Sequence, residues 1–263
     1  MRRLLLAAAM FGLTVVAAAH ADQRTDDALK TSQSVLGTVL PDLAFLDTAN
    51  KPVRLSQFRG KPLLVNLIYT SCADVCPAVI ESLAPAASAG ESALGPGSFN
   101  IITVGFDTRH DTPARMQSFA RAHAAGGDNW YFLASDGETI NRLTAAVGFD
   151  YFASTGGFDH MAQITVIDKD GKIYDQVYGN TFAPPAIVEP LKRLILGGER
   201  SIFSLAGLGD RVKLFCTVYD PRTGRYYFNY SIFVSIAIGA ICLGGILYFL
   251  IRETRKSLKA TGS

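Results

Sequence analysis

Apolar and polar positions alternate along this chain with changing period, and each change marks an element. Leu43-Ala44-Phe45-Leu46 and Val53-Arg54-Leu55 flank the turn-like run from Asp47 to Pro52, which predicts a hairpin. Leu63 to Ile68 is too uniformly apolar for a half-exposed strand and predicts a central one, buried on both faces. Pro77 to Ala89 has helical spacing, and Asn100 to Phe106 predicts a second buried strand. Thr112-Pro113 supplies an N-cap and a proline at the first helical position, starting a helix that runs to about His123. Trp130 to Leu133 predicts a short strand and Gly137 to Val147 a helix. Ala162 to Ile167 and Lys172 to Val177 enclose the turn Asp168-Lys169-Asp170-Gly171, a strong hairpin signal. Pro184 to Leu196 closes with a helix.

Strand and helix alternating first, then a terminal hairpin and helix, is the order of a thioredoxin-like α/β sandwich, expected over residues 35–197. The ends set its compartment. Arg2 and Arg3 precede a short apolar run and the small-x-small pattern Ala19-His20-Ala21, so residues 1–21 read as a cleaved signal peptide. A polar stretch, 22–34, follows as a flexible lead-in. Residues 231–251 are uncharged and about the length that crosses a hydrocarbon core, which predicts a C-terminal transmembrane helix. Tyr226, Tyr227 and Tyr230 precede it as an interfacial belt, and Arg252, Arg255, Lys256 and Lys259 follow it, which puts the tail 252–263 in the cytoplasm. The expected location is a bacterial-type inner membrane, crossed once, with the folded domain on the periplasmic side. Net charge is only +2, with much of the positive charge at the two ends, so no patch suggests nucleic acid.

The candidate chemistry lies where the central strand hands over to a helix. In YTSCADVCPAV, residues 69–79, Cys72 and Cys76 stand four positions apart and Pro77 suits a first helical turn, which predicts Cys76 at about the N-cap and Cys72 in the loop before it. A helix N-terminus carries partial positive charge and stabilises thiolate over thiol, so both sulfurs are expected to be reactive or good ligands. A plain structural disulfide is the alternative in an oxidising compartment, although a bond closing so short a loop restrains little unfolded-state entropy.

The run RGKPLLVNLIYTSCADVCP, the later VGFDTRHDTP, the FDH ending at His160 and the IDKDGKI after it together resemble the Sco/SenC family, thioredoxin-fold copper chaperones of respiratory oxidase assembly. The resemblance implies that Cys72, Cys76 and His160 hold copper for the copper-site subunit of a cytochrome oxidase. It also implies thiol-disulfide chemistry, including a Cys72-Cys76 disulfide, with a copper donor and a thiol reductant outside the cytoplasm as further partners. Two thiolates and one imidazole suit Cu(I), and with an added weak ligand Cu(II), whereas structural zinc wants a fourth protein ligand. A thiol-disulfide reductase acting through Cys72 and Cys76, with His160 incidental, is the alternative reading. A peroxiredoxin is excluded, because residues 65–72, VNLIYTSC, lack the proline and threonine that should precede a peroxidatic cysteine.

The loop His160-Met161-Ala162-Gln163 lacks the proline that thioredoxin-like oxidoreductases carry there, so a ligand stands where a substrate-binding turn would. Asp159 is a candidate to orient the His160 imidazole, and Met161 either packs or serves as a soft axial ligand. Asp107 and Asp111 suit capping and turn roles as well as functional ones; His110 and His123 are expected at the surface, and Trp130 in the core. The chain departs from its relatives in its C-terminal anchor and in a juxtamembrane insert, 198–230, with a hairpin around Asp220-Pro221-Arg222-Thr223-Gly224. Cys216 in that insert has no obvious mate, and Cys242 in the apolar run is expected to be inert.

Overall fold

The structure, a computed structural model, describes residues 24–123, 125–197, 217–223 and 225–261. The expected signal peptide and Cys216 lie outside them. The chain divides into two compact units, one ending at Glu199 and the other beginning at Arg200.

In the first unit β1 (Ala44–Asp47) and β2 (Pro52–Arg54) form the expected antiparallel hairpin. A short 3-10 turn leads to β3 (Leu63–Ile68), in which every residue is buried. β4 (Asn100–Gly105) and β5 (Trp130–Ala134) continue the sheet in parallel. β6 (Tyr151–Ser154) and β7 (Gly157–His160) make a separate two-stranded hairpin, unforeseen because its residues alternate poorly in burial. β8 (Gln163–Ile167) and β9 (Ile173–Tyr178) are the terminal hairpin. The main sheet has the order β2-β1-β5-β4-β3-β8-β9, with β3 parallel to β4 and antiparallel to β8. A strand without a polar face can only lie inside a sheet covered on both sides, which is why β3 is central. Leu64, Ile68, Ile101, Ile102 and Leu133 are fully buried there, each contributing about 1.5–3 kcal/mol on leaving water.

Helix α1 spans residues 24–34, where a flexible lead-in was expected. The polar stretch folds because it finds a tertiary seat: Ala28 and Ser32 are buried, and Ser32 Oγ hydrogen-bonds the Tyr178 hydroxyl at 2.9 Å. Helix α2 (Val75–Leu94) starts two residues before Pro77 and runs past Ala89 to a cap at Gly95. Gly90 does not end it; this glycine lets the Phe99 ring approach, which would lie 3.1 Å from any Cβ there. α3 (Pro113–Ala122) begins on the predicted Thr112 cap, whose side chain accepts from Arg115 N, and α4 (Gly137–Val147) matches expectation. α5 (Pro184–Gly197) packs on α2. At the end of α4 the Val147 carbonyl accepts from the buried side chains of Gln163 and Gln176, at 3.1 and 3.0 Å, tying α4 to the terminal hairpin.

The second unit contains the predicted hairpin, β10 (Thr217–Asp220) with β11 (Arg225–Phe228), whose turn is closed by Asp220 accepting from Arg222 N and Thr223 Oγ1. Helix α6 (Ser231–Thr261) follows and continues through most of the expected tail. Ile236, Ile238, Ile241, Leu243 and Leu247 are exposed along it. Among the described residues no helix is long and apolar enough to cross a membrane.

Gly148 caps α4 in the left-handed region (φ 62°), and a Cβ there would come within 2.7 Å of the Thr31 carbonyl oxygen and 2.8 Å of Ser32 Cα. Gly148→Ala is therefore expected to cost about 2–4 kcal/mol in urea unfolding, from left-handed strain plus displacement of α1. Gly97→Ala, at a similar φ of 63° where a Cβ would meet only the end of the Lys61 side chain at 3.7 Å, should cost about 1–2 kcal/mol. Equal losses at the two sites would show that α1 is not seated on Gly148.

Candidate metal centre

The cysteine loop leaves β3 at Ile68, whose carbonyl accepts from Phe106 N at 2.9 Å. Tyr69 is buried, and its carbonyl accepts from Cys72 N at 3.1 Å, turning the chain toward α2. Asp74 occupies the N-cap position, but its side chain makes no capping bond. Cys72 Sγ does so instead, accepting from Cys76 N at 3.3 Å. Cys76 is thus not the cap, as the sequence suggested, but the second residue of the helix, with the sulfur of its partner satisfying an otherwise orphaned N–H. Both cysteines are free in this structure.

The two thiols differ sharply. Burial raises the Cys72 pKa, but hydrogen bonds outweigh it, from the N–H of Cys76 foremost, then the N–H of Asp74 and the side chains of Cys76 and Tyr69, and leave it below the ordinary thiol value. Burial drives the Cys76 thiol far above that value, and the neighbouring Cys72 and the charge of Asp111 add to the effect. Cys72 is half-buried, while Cys76 is 1% exposed. The Tyr69 hydroxyl is pushed up to about 12, by burial first and then by Cys72, so it stays a phenol.

His160 ends β7, opposite Tyr151 in the hairpin register. Its ring sits in an aromatic box, with centroids 5.1 Å from Phe149, 5.6 Å from Phe106 and 6.2 Å from Tyr69. Nδ1 is buried without a hydrogen-bond partner. Burial holds the imidazole pKa below 6.5, outweighing a backbone contact at Met161 and the charge of Asp159, so the ring is neutral at pH 7. Asp159, the candidate to orient it, is exposed and lines the same cavity as the ring, which its charge reaches. Met161 and His160 line a cavity of about 440 Å³ that the first turn of α1 borders through Arg24, Thr25 and Ala28.

The fold therefore brings the cysteine loop and the His160 hairpin to one end of the sheet. Among the described residues no three His, Cys, Asp or Glu side chains stand close enough to hold a metal ion. Tyr69 neighbours both, its ring edge-on to His160 and its hydroxyl close enough to Cys72 to influence the thiol. Sequence reasoning passed over Tyr69, whose only signal was its place between the central strand and the first cysteine. Two soft sulfurs and a neutral imidazole with a free buried nitrogen are donor types that suit copper.

The acidic loop is more deeply placed than a turn requires: Asp107 is 7% and Asp111 2% exposed. Asp107 pairs with the exposed His110 through Nδ1 at 2.6 Å. His123, expected at the surface, is half-buried against Phe119, with ring centroids 4.5 Å apart. Trp130 is in the core, donating to Thr103 Oγ1 at 2.9 Å. Cys242 is exposed on α6.

The SCO1/SenC family model matches residues 33–196. This chain belongs to the SCO1/SenC family. It is 23% identical to the SCO1 protein homolog of Bacillus subtilis (strain 168) over 51% of its own length and 71% of that protein's. Its fold is that of copper-bound ScoI from Bradyrhizobium japonicum, with a TM-score of 0.51 and 23% identity over 60% of this chain and 99% of that one. BsSco, a member of the Sco family of cytochrome c oxidase assembly proteins in which a disulfide switch was identified, gives 0.53 and 20% identity over 60% and 93%. The thioredoxin-like α/β expectation thus holds for the first unit.

The unlike thiols make a measurable difference. At pH 7 iodoacetamide is expected to alkylate Cys72 at least about 10-fold faster than Cys76, because only the former is accessible and has a lowered pKa. Peptide mass spectrometry of timed samples checks this, and equal rates would contradict the asymmetry.

Proposed function

We propose that this chain is a membrane-anchored copper-binding assembly factor that delivers copper to, or prepares the cysteines of, the copper site of a cytochrome oxidase. The observation that carries this reading is the buried, neutral His160 with an unpartnered Nδ1, at the same end of the sheet as the two thiols. An imidazole kept neutral and free of hydrogen bonds at Nδ1 needs no proton removed before it ligates, so its burial without a partner suits a ligand better than a structural residue. Cys72, Cys76 and His160 are the proposed ligands, with copper as cargo that is passed on by ligand exchange. Membership of a family of oxidase assembly proteins, and the copper held by ScoI, support the same reading.

A second reading has its own observation, the lowered pKa and partial exposure of Cys72 beside a buried, high-pKa Cys76. In a thiol-disulfide reductase the Cys72 thiolate attacks a client disulfide and expels one client thiolate. Cys76, losing its proton, then attacks Cys72 Sγ, releases the second client thiolate and leaves the Cys72-Cys76 disulfide. Both readings need an external reductant to restore the thiols, and copper loading needs both sulfurs reduced.

Anaerobic copper titration separates them. The reduced protein should bind one copper through an intense thiolate charge-transfer band in the Cu(II) form. Cys72→Ser should abolish that band's normal intensity, and His160→Ala should weaken binding by about 100-fold, or about 3 kcal/mol. The oxidised pair, its disulfide verified by mass spectrometry, should bind at least about 100-fold more weakly than the reduced one. Unchanged stoichiometry and spectrum in both variants would move the weight to the reductase.

The anchor is part of the proposal. It is supported by the uncharged run 231–251, by the exposed apolar side chains along α6, and by the cations that follow. A reporter fused after Ser263 should be active only when it is of a type that works in the cytoplasm. Activity restricted to periplasm-dependent reporters would reverse the topology and with it the compartment of the thiols.

A further inference from the structure

The Asp111 carboxylate is almost wholly buried, yet its hydrogen-bond donors are all neutral. Its Oδ1 accepts from both Thr70 N at 2.8 Å and Thr70 Oγ1 at 2.7 Å, and its Oδ2 accepts from Asp107 N at 2.8 Å. Its own N–H donates to the Asp107 carbonyl at 2.7 Å, closing a tight turn at the end of β4. The side chain is pressed into a fixed place: a Cβ on Gly105 would lie 2.5 Å from Asp111 Cβ and 2.8 Å from Met116 Sδ. Burying a carboxylate without a cation is costly, and an apolar residue of similar size would fill the space without that cost. What the carboxylate adds is a pair of hydrogen bonds to one residue of the cysteine loop. Thr70 lies two positions before Cys72, and the segment between them contains only Ser71.

We propose that Asp111 is a positioning residue for the cysteine pair, acting through Thr70 to hold the loop in the arrangement in which Cys72 Sγ caps Cys76 N and the two sulfurs stay unbonded. The inference rests on the reading of Cys72 and Cys76 as the reactive pair, whether for copper or for thiol exchange. With the loop start pinned at two atoms to the end of β4, Cys72 is kept where its sulfur faces the helix N-terminus. A disulfide requires the sulfurs at about 2.05 Å with a Cβ–S–S–Cβ dihedral near ±90°, and so draws Cys72 away from that capping position. Anchoring therefore favours the reduced, ligand-ready pair, and releasing the anchor favours the disulfide.

The test is a redox titration of the full chain in mild detergent, in glutathione buffers with a chelator and no copper, reading the Cys72-Cys76 state by trapping and mass spectrometry. Thr70→Val removes the hydroxyl donor while keeping shape and the charge of Asp111. It is expected to shift the equilibrium toward the disulfide by about 10-fold, which is about 30 mV for a two-electron couple. Asp111→Asn should shift it in the same direction, and Thr70→Ser, which keeps both donors, should stay within about threefold of wild type. Should Asp111→Asn fail to fold, the Val and Ser variants at Thr70 decide the matter by themselves. The proposal is overturned if Thr70→Val stays within threefold of wild type or moves the other way, if Thr70→Ser moves as far as Thr70→Val, or if wild type forms no such disulfide. Because no metal is present, a chain that bound no copper would sink the copper reading and leave this result intact. Normal copper loading with an unmoved potential would do the reverse.

Discussion

Antiparallel pairing of β3 with β8, in register from Leu63 opposite Ile167 to Asn66 opposite Ile164, is the constraint on which the site depends. β3 runs out of the sheet into the cysteine loop, and β8 enters the sheet just after the hairpin that ends in His160. Since the two strands run in opposite senses, the exit of one and the entry of the other fall at the same end. The pairing is compulsory because β3 has no polar face. It must have a neighbour on each edge and cover on each side, and β4 and β8 are those neighbours. A residue about ninety positions from Cys72 is brought near it by burial of an apolar strand, with no local signal required.

Within that frame the helix start makes two identical side chains chemically unlike. Cys72 precedes α2 and faces its unpaired N–H groups, which stabilise its thiolate; Cys76 lies inside the first turn and under the sheet, where burial suppresses ionisation. They stand only four positions apart. Both the proposed ligand exchange and the alternative thiol exchange would start at the accessible sulfur, Cys72. His160 is arranged on a similar principle, its basicity lowered by an aromatic box of Phe106, Phe149 and Tyr69.

The buried polar groups show how the core keeps its edges in register. Val147 binds two glutamines from the terminal hairpin, Trp130 binds Thr103 across the sheet, and Asp111 binds the cysteine loop. Each ties an element end to a neighbour, where apolar contact alone would tolerate sliding. Such bonds contribute little net stability but are expensive to leave half made, so they discriminate between arrangements of similar burial.

Elements with a strong period were legible from the residues. The bounds of β3 and α4, the Thr112 cap with its proline, and the hairpins around Gly171 and Asp220 follow from side-chain alternation, helical spacing and turn chemistry, which act over a few residues. The thiol pair and its helix were equally visible, as was His160 once the family's motifs had been noticed. Other features were decided only in three dimensions. Residues 24–34 are polar and read as a flexible lead-in until Gly148 and Tyr178 supply a surface for Ser32. The helix read as ending at Ala89 runs on through Gly90, against which Phe99 packs. The contact of Tyr69 with His160, and the grip of Asp111 on Thr70, join residues far apart in the chain. Sequence alone determined what could form locally, because backbone preference and side-chain period are local; which groups touch was determined by how the apolar faces were forced together.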